Sequence, residues 1–150
     1  MRILKITLGI FFILILALQF IPRHPNQSDE VPPTDFTRVN EVPPLVKEKL
    51  YVSCYDCHST NTRYPWYNKL QPVAWFLEDH VNKGKEELNF SEWKNYSERR
   101  KNSKLRSIIS QVEDGKMPLS SYTFIHDDAV FSEKEKKEFL NYMSQLKKNL

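Results

Sequence analysis

Apolar positions along this chain follow three different patterns. From Ile6 to Ile21 they are almost continuous, after a short basic start at Arg2 and Lys5. An unbroken apolar run with that start reads as a targeting segment, taken here as residues 1–22. From 23 to 44 the chain is polar and carries Pro25, Pro32, Pro33, Pro43 and Pro44. Such a stretch buries little apolar surface, so a Pro-rich extended tether is expected. From Val46 onward apolar residues recur at helical spacing. Val46, Leu50 and Cys54 lie four apart and predict a helix over Val46 to Cys57, with Pro44 suited to its first turn. Val73, Trp75, Phe76, Leu77 and Val81 predict a second over Gln71 to Asn82, opened by Pro72 and capped by Gly84. Leu88 to Tyr96 connects, with a short helix started by Ser91 and with Phe90 and Trp93 as anchors. Leu105, Ile108, Ile109 and Val112 mark an amphipathic helix over Ser97 to Asp114, ended by Gly115. Ser132 and Glu135 form a capping box for a last helix to Leu150, whose stripe is Phe139, Leu140, Met143 and Leu146.

The chain has 150 residues, 3 Gly and 9 Pro, and no long alternating β-branched runs. That favours an all-α fold: one small helical domain over 45–150 behind the targeting segment and the tether. The net charge of +3 is mild and the basic residues are interspersed with acids, which argues against nucleic acid as a partner. Large residues run up to Pro22, and the small-x-small pattern of a cleavage site is missing around Ala17 to Phe20. An uncleaved single-pass anchor is therefore favoured over a cleaved signal, although the run is slightly short of the roughly 20 residues that span a bilayer. The basic N-terminal side would stay in the cytoplasm and the domain would face the periplasm. Signal cleavage would instead leave a soluble periplasmic protein.

Chemistry concentrates at Cys54-Tyr55-Asp56-Cys57-His58, which contains both cysteines of the chain. The spacing C-x-x-C-H is the attachment signature of a c-type haem. Two thiols can form thioethers to the two vinyl groups of one haem, and the histidine that follows becomes the proximal iron ligand. A thioredoxin-like centre would want a βαβ pattern, which is not visible. A structural zinc site would need a second cysteine pair. A plain disulfide is the remaining rival. Met117 lies in a loop beside Pro118, unlike Met143 on a helix stripe or Met1 in the targeting segment, and is the expected sixth ligand. The loop from Ser59 to Leu70 offers Arg63, Tyr64 and Trp66 as possible haem contacts, with the Arg63 guanidinium and the Trp66 N–H as donors to propionates. Ordinary core packing explains each ring equally well. His80 is a possible distal ligand or a surface residue. Tyr122 and His126 lie in the loop after Met117; His126 could meet a propionate or cap the last helix. His24 reads as a solvated linker residue.

The succession Cys54-Tyr55-Asp56-Cys57-His58-Ser59, Thr62-Arg63-Tyr64-Pro65-Trp66-Tyr67, Leu88-Asn89-Phe90-Ser91-Glu92-Trp93 and Lys116-Met117-Pro118-Leu119, with Tyr122 and His126, resembles a bacterial family. It is the haem-binding domain family of single-haem, cytochrome-c-like proteins, and the resemblance covers about Val42 to Leu146. It implies haem binding and a cytochrome-c-like helical fold, and little about a partner. The expected function is a membrane-tethered monohaem cytochrome c, an electron carrier rather than an enzyme, exchanging electrons with a redox partner protein. A haem sensor with an open or displaceable distal site is the alternative. A haem-free domain with a Cys54–Cys57 disulfide is the third reading.

Overall fold

The computed structural model describes residues 1–28 and 30–150, and among them it is all-helical, with no strand. Helix α1 is Arg2–Leu18, 17 residues with no buried side chain. At 1.5 Å per residue it is about 25 Å long, short of the ~30 Å hydrocarbon core of a bilayer. No helix among the described residues is long and apolar enough to cross a membrane, so the expected spanning anchor has no helix to match it. Just past α1 the chain meets the domain. The Gln19 amide accepts from Gln71 N–H at 3.0 Å and donates to Gln71 O at 3.1 Å, and Arg23 Nη1 donates to Asn68 O at 2.9 Å.

Residues 23–44 do not form the free tether that their composition suggests. Asn26 to Ser28 run antiparallel to the loop after His58, with an isolated bridge between Gln27 and Asn61. Thr62 N–H donates to Asn26 O at 2.9 Å, and Asn26 Nδ2 donates to Ser59 O at 2.8 Å. Asp35 then caps a one-turn helix, α2 (Phe36–Val39), by accepting from Thr37 N–H at 2.8 Å. Its carboxylate also accepts from the Tyr55 hydroxyl at 2.8 Å. Phe36 is 0% exposed and meets Phe90 and Trp93 edge-on, with centroids 5.3 and 4.9 Å away. The segment is a strap that closes over the core.

Helix α3 (Pro44–Ser53) starts with proline at its first position, as expected. It stops one residue before the first cysteine. Cys54 has φ −129° and ψ −45°, and a separate short helix, α4 (Tyr55–His58), follows. The single helix expected through Cys57 is thus two elements with a break at Cys54. Helix α5 (Val73–Glu87) begins after Pro72 but runs past Gly84, which is interior and not a cap. A 3₁₀ segment, Phe90–Asn95, is capped by Asn89, whose side chain accepts from Ser91 N–H; Ser91 itself is buried. Helix α6 (Glu98–Glu113) has Ser97 as its N-cap. It ends with Gly115 at φ +67°, Gly115 N–H on Val112 O and Lys116 N–H on Gln111 O, a glycine-terminated Schellman closure. The short α7 (Ser120–Thr123) leads to α8 (Glu133–Lys148), which opens with the expected Ser132/Glu135 capping box.

Helices α6 and α8 pack along each other, α3 crosses α8, and α4 lies on α5. Leu50, Phe90, Trp93, Leu105, Phe139 and Met143 fill the centre. Lys49 is buried too. Its ammonium reaches Asp128 O and Val130 O at 2.9 Å each and Glu135 at 3.2 Å, and so ties α3 to the start of α8.

Candidate functional site

The turn that carries both cysteines is closed by one carbonyl: Cys54 O accepts from His58 N–H at 2.9 Å and from Cys57 N–H at 3.2 Å. Both cysteines are free thiols. Burial, and then the neighbouring Cys57, pushes the Cys54 thiol up to about 12. Burial, and then Asp56, takes Cys57 to about 11. With nothing bound, both are protonated thiols at neutral pH.

Helix α5 presses on this turn at Gly84. A Cβ there would stand 2.5 Å from Cys57 O, so only glycine lets the helix come this close. The approach positions the imidazole. His58 Nδ1 lies 2.8 Å from Gly84 O and 3.0 Å from Leu88 O. Two carbonyl acceptors at one nitrogen assign the ring proton to Nδ1, so Nε2 carries the free lone pair. Burial lowers the His58 pKa against the opposing pull of those two carbonyls. The result is a neutral, oriented imidazole of the kind a metal takes as a ligand.

Two adjoining cavities, about 330 and 250 Å³, share Ser53, Cys54, His58, Glu87 and Met117 on their walls. The rest of the lining is largely apolar: Leu88, Phe90, Ile108 and Val112 in one, Pro118 and Leu119 in the other. Lys104 joins the first and Lys83 the second. The Schellman turn at Gly115 brings Met117 here, and Met117 N–H donates to Gln111 O at 3.1 Å. The Met117 thioether thus borders one cleft with the Cys54 thiol and the His58 imidazole, which lie far earlier in the sequence.

The other expected residues divide. Tyr122 and the exposed His80 line the smaller of these cavities. A third cavity of about 240 Å³, on the Cys57 side, gathers Arg63, Tyr64 and His126 together with Tyr122 and His80. Trp66 lies in none of the three. It is 75% exposed, because the 3₁₀ segment Trp66–Lys69 after Pro65 turns its ring outward. Arg63 is also engaged elsewhere than expected: its Nε and Nη2 point at Asp56, at 3.3 and 3.4 Å. Burial lowers the Arg63 pKa, but the bond to Asp56 and its charge outweigh this, and the net shift is upward.

Asp56 is the residue that sequence reading passed over. It is 5% exposed, stands between the two cysteines in the sequence and accepts from Arg63 N–H at 2.9 Å and from the Tyr122 hydroxyl at 2.7 Å. Burial, and then the bond to Asp56, raises the Tyr122 pKa far above the usual tyrosine value. An acid enclosed by Tyr55 and Cys57 on an inward-facing turn was the available signal. Gly84 and Leu88, which orient His58, leave no comparable mark in the sequence.

Among the described residues no group of three or more His, Cys, Asp or Glu side chains is placed to hold a bare metal ion. An iron porphyrin asks for less, since the macrocycle supplies four nitrogens and the protein only the axial donors. One oriented imidazole, one thioether and two neutral thiols at an apolar cleft fit that group.

No curated protein and no solved structure matches the chain. The family described as haem-binding domain matches residues 13–145. That span reaches further toward the N-terminus than the motifs from Val42 onward and takes in the strap. With a match of this extent around the cleft of His58 and Met117, the chain belongs to the haem-binding domain family.

Proposed function

We propose that the protein is a monohaem c-type cytochrome that carries single electrons. The observation that carries the reading is the placement of His58, held through Nδ1 with Nε2 free at a cleft bordered also by Cys54 and Met117. In attachment, each of Cys54 and Cys57 adds sulfur and hydrogen across one vinyl group, with no net oxidation. A haem held there supplies one-electron redox chemistry at its iron. His58 Nε2 would hold the iron, and the Nδ1–H bonds to Gly84 O and Leu88 O fix the ring and raise its basicity. Met117 Sδ is the second donor, and methionine ligation raises the potential. Leu88, Phe90, Ile108 and Val112 keep water from the cleft. We place the domain on the periplasmic side of the cytoplasmic membrane, where α1 directs it, with a redox protein as partner; sequencing the N-terminus of protein recovered from periplasmic and membrane fractions distinguishes a removed signal from a retained segment.

The test is an absorption spectrum of the full chain produced with cytochrome c maturation machinery, beside Met117→Ala. A low-spin haem with a weak red thioether-to-iron band, lost in the variant, is expected. A high-spin spectrum that responds to carbon monoxide and ignores the substitution would replace the carrier by a haem sensor. A colourless protein would overturn both.

A further inference from the structure

Backbone bonds to Gln111 O anchor the start of the Met117 loop, and one side-chain device ties its far half to the rest of the fold. Among the described residues, Tyr122 makes the only side-chain hydrogen bonds from residues 117–126 to elements outside that loop. Its hydroxyl lies 2.7 Å from Asp56 Oδ2 on α4 and 3.1 Å from Val52 O on α3. The acceptor is a buried carboxylate, so the bond is charge-assisted. Arg63 fills the other side of the carboxylate through its N–H and its guanidinium. The His126 ring stacks on Tyr122 with centroids 4.3 Å apart and planes 23° from parallel, which stiffens the far end of the loop.

We propose that Asp56 and Tyr122 form a latch that pins the Met117 loop to the attachment turn, so that both act as positioning residues for the sixth ligand. This rests on the Met117 ligation argued above. Asp56 touches neither iron nor thioether. It sets where the loop sits relative to the turn that carries Cys57 and His58. Tyr122→Phe is the clean variant, because it removes the loop's donor and leaves Asp56 paired with Arg63. Asp56→Asn keeps an acceptor but removes the charge, so it loosens the latch less.

The test uses the haem-loaded full chain and two readouts. One is amide hydrogen exchange of residues 117–126. The other is the affinity for added imidazole, which competes for the sixth position and binds in proportion to the fraction of molecules with the loop away. In Tyr122→Phe, exchange of the loop is expected to speed up, and imidazole affinity to rise, on the order of tenfold, the worth of one hydrogen bond to a buried charge. Asp56→Asn falls between that variant and the parent. Thr123→Ala, on the same loop with bonds only to Leu119 and Ser120, leaves both readouts unchanged. Parent-like exchange and imidazole affinity in Tyr122→Phe would overturn the latch. Faster loop exchange in a protein whose parent lacks the thioether band would support the latch and overturn Met117 as ligand.

Discussion

Replacing Gly84 by alanine puts a number on how closely α5 approaches the thiol-bearing turn. The added Cβ would lie 2.5 Å from Cys57 O and 3.2 Å from both Cys57 C and Cys57 Cβ. Two of these atoms are backbone, in a turn closed by Cys54 O, so they cannot swing aside as a side-chain tip would. The helix or the turn must move by about 1 Å to restore ordinary contact. Overpacking of this kind costs about 1–3 kcal/mol. Alanine returns about 0.5–1 kcal/mol in an interior helix position. The net expectation is a loss of up to about 2.5 kcal/mol, centred on about 1 kcal/mol, which for a chain of this size lowers the melting temperature by up to about 10 °C. The same shift draws Gly84 O away from His58 Nδ1, so the spectrum of the haem-loaded variant should change with its stability. Gly9→Ala is the control: a Cβ there meets nothing within 4 Å on a helix away from the cleft, so the haem spectrum stays that of the parent. Thermal melts followed at the haem band and in the far ultraviolet decide the matter. A Gly84→Ala protein that melts at or above the parent, with an unchanged spectrum, would refute the close contact and the orientation of His58 that depends on it.

Phe36→Ala should cost about 3–5 kcal/mol in urea unfolding, the price of emptying a fully buried aromatic site, whereas a free tether would tolerate it. Lys49→Met should cost about 2–3 kcal/mol by the same measurement, because Asp128 O and Val130 O lose their donor and Glu135 its cation. Ser132→Ala removes the cap of α8 and should cost about 1 kcal/mol at neutral pH. Bonds from the Ser132 backbone N–H, and then its side chain, hold the Glu135 pKa below its ordinary 4.5. A carboxylate lowered in the fold stabilises above that value and loses the contribution as pH falls through it and below. Unfolding of the parent followed downward through pH 4.5 should show this loss, and Ser132→Ala, which keeps the backbone N–H bond, should reduce it in part.

What the sequence revealed and what it withheld follow from the range of each interaction. Helices α6 and α8 were legible because stripe and caps are local: Ser97, Gly115 and the Ser132/Glu135 pair all act within a turn or two of themselves. The attachment motif was legible for the same reason. The break at Cys54 was not, because Val46, Leu50 and Cys54 at intervals of four report a shared face and say nothing about a backbone that leaves the helix. Gly84 reads identically as a helix end or as room for a segment 27 residues earlier; the structure shows the second. A single Phe36 among prolines and acids did not outweigh the polar average of its stretch, yet one aromatic with a capping Asp35 was enough to seat it. Aromatic content around Trp66 carried no information about direction, and the ring points out. Asp56 meets a partner 66 residues away, beyond the reach of any spacing rule.

The strap also sets a schedule. Phe36 leaves the ribosome early, but its ring is met edge-on by Tyr142 of α8, with centroids 6.4 Å apart, and that residue is made near the end of synthesis. At about 5–20 residues per second, the hundred or so residues between them take roughly 5–20 s to appear. Through that interval α8 is missing and the strap has no complete surface to close on, so its closure waits for the last helix.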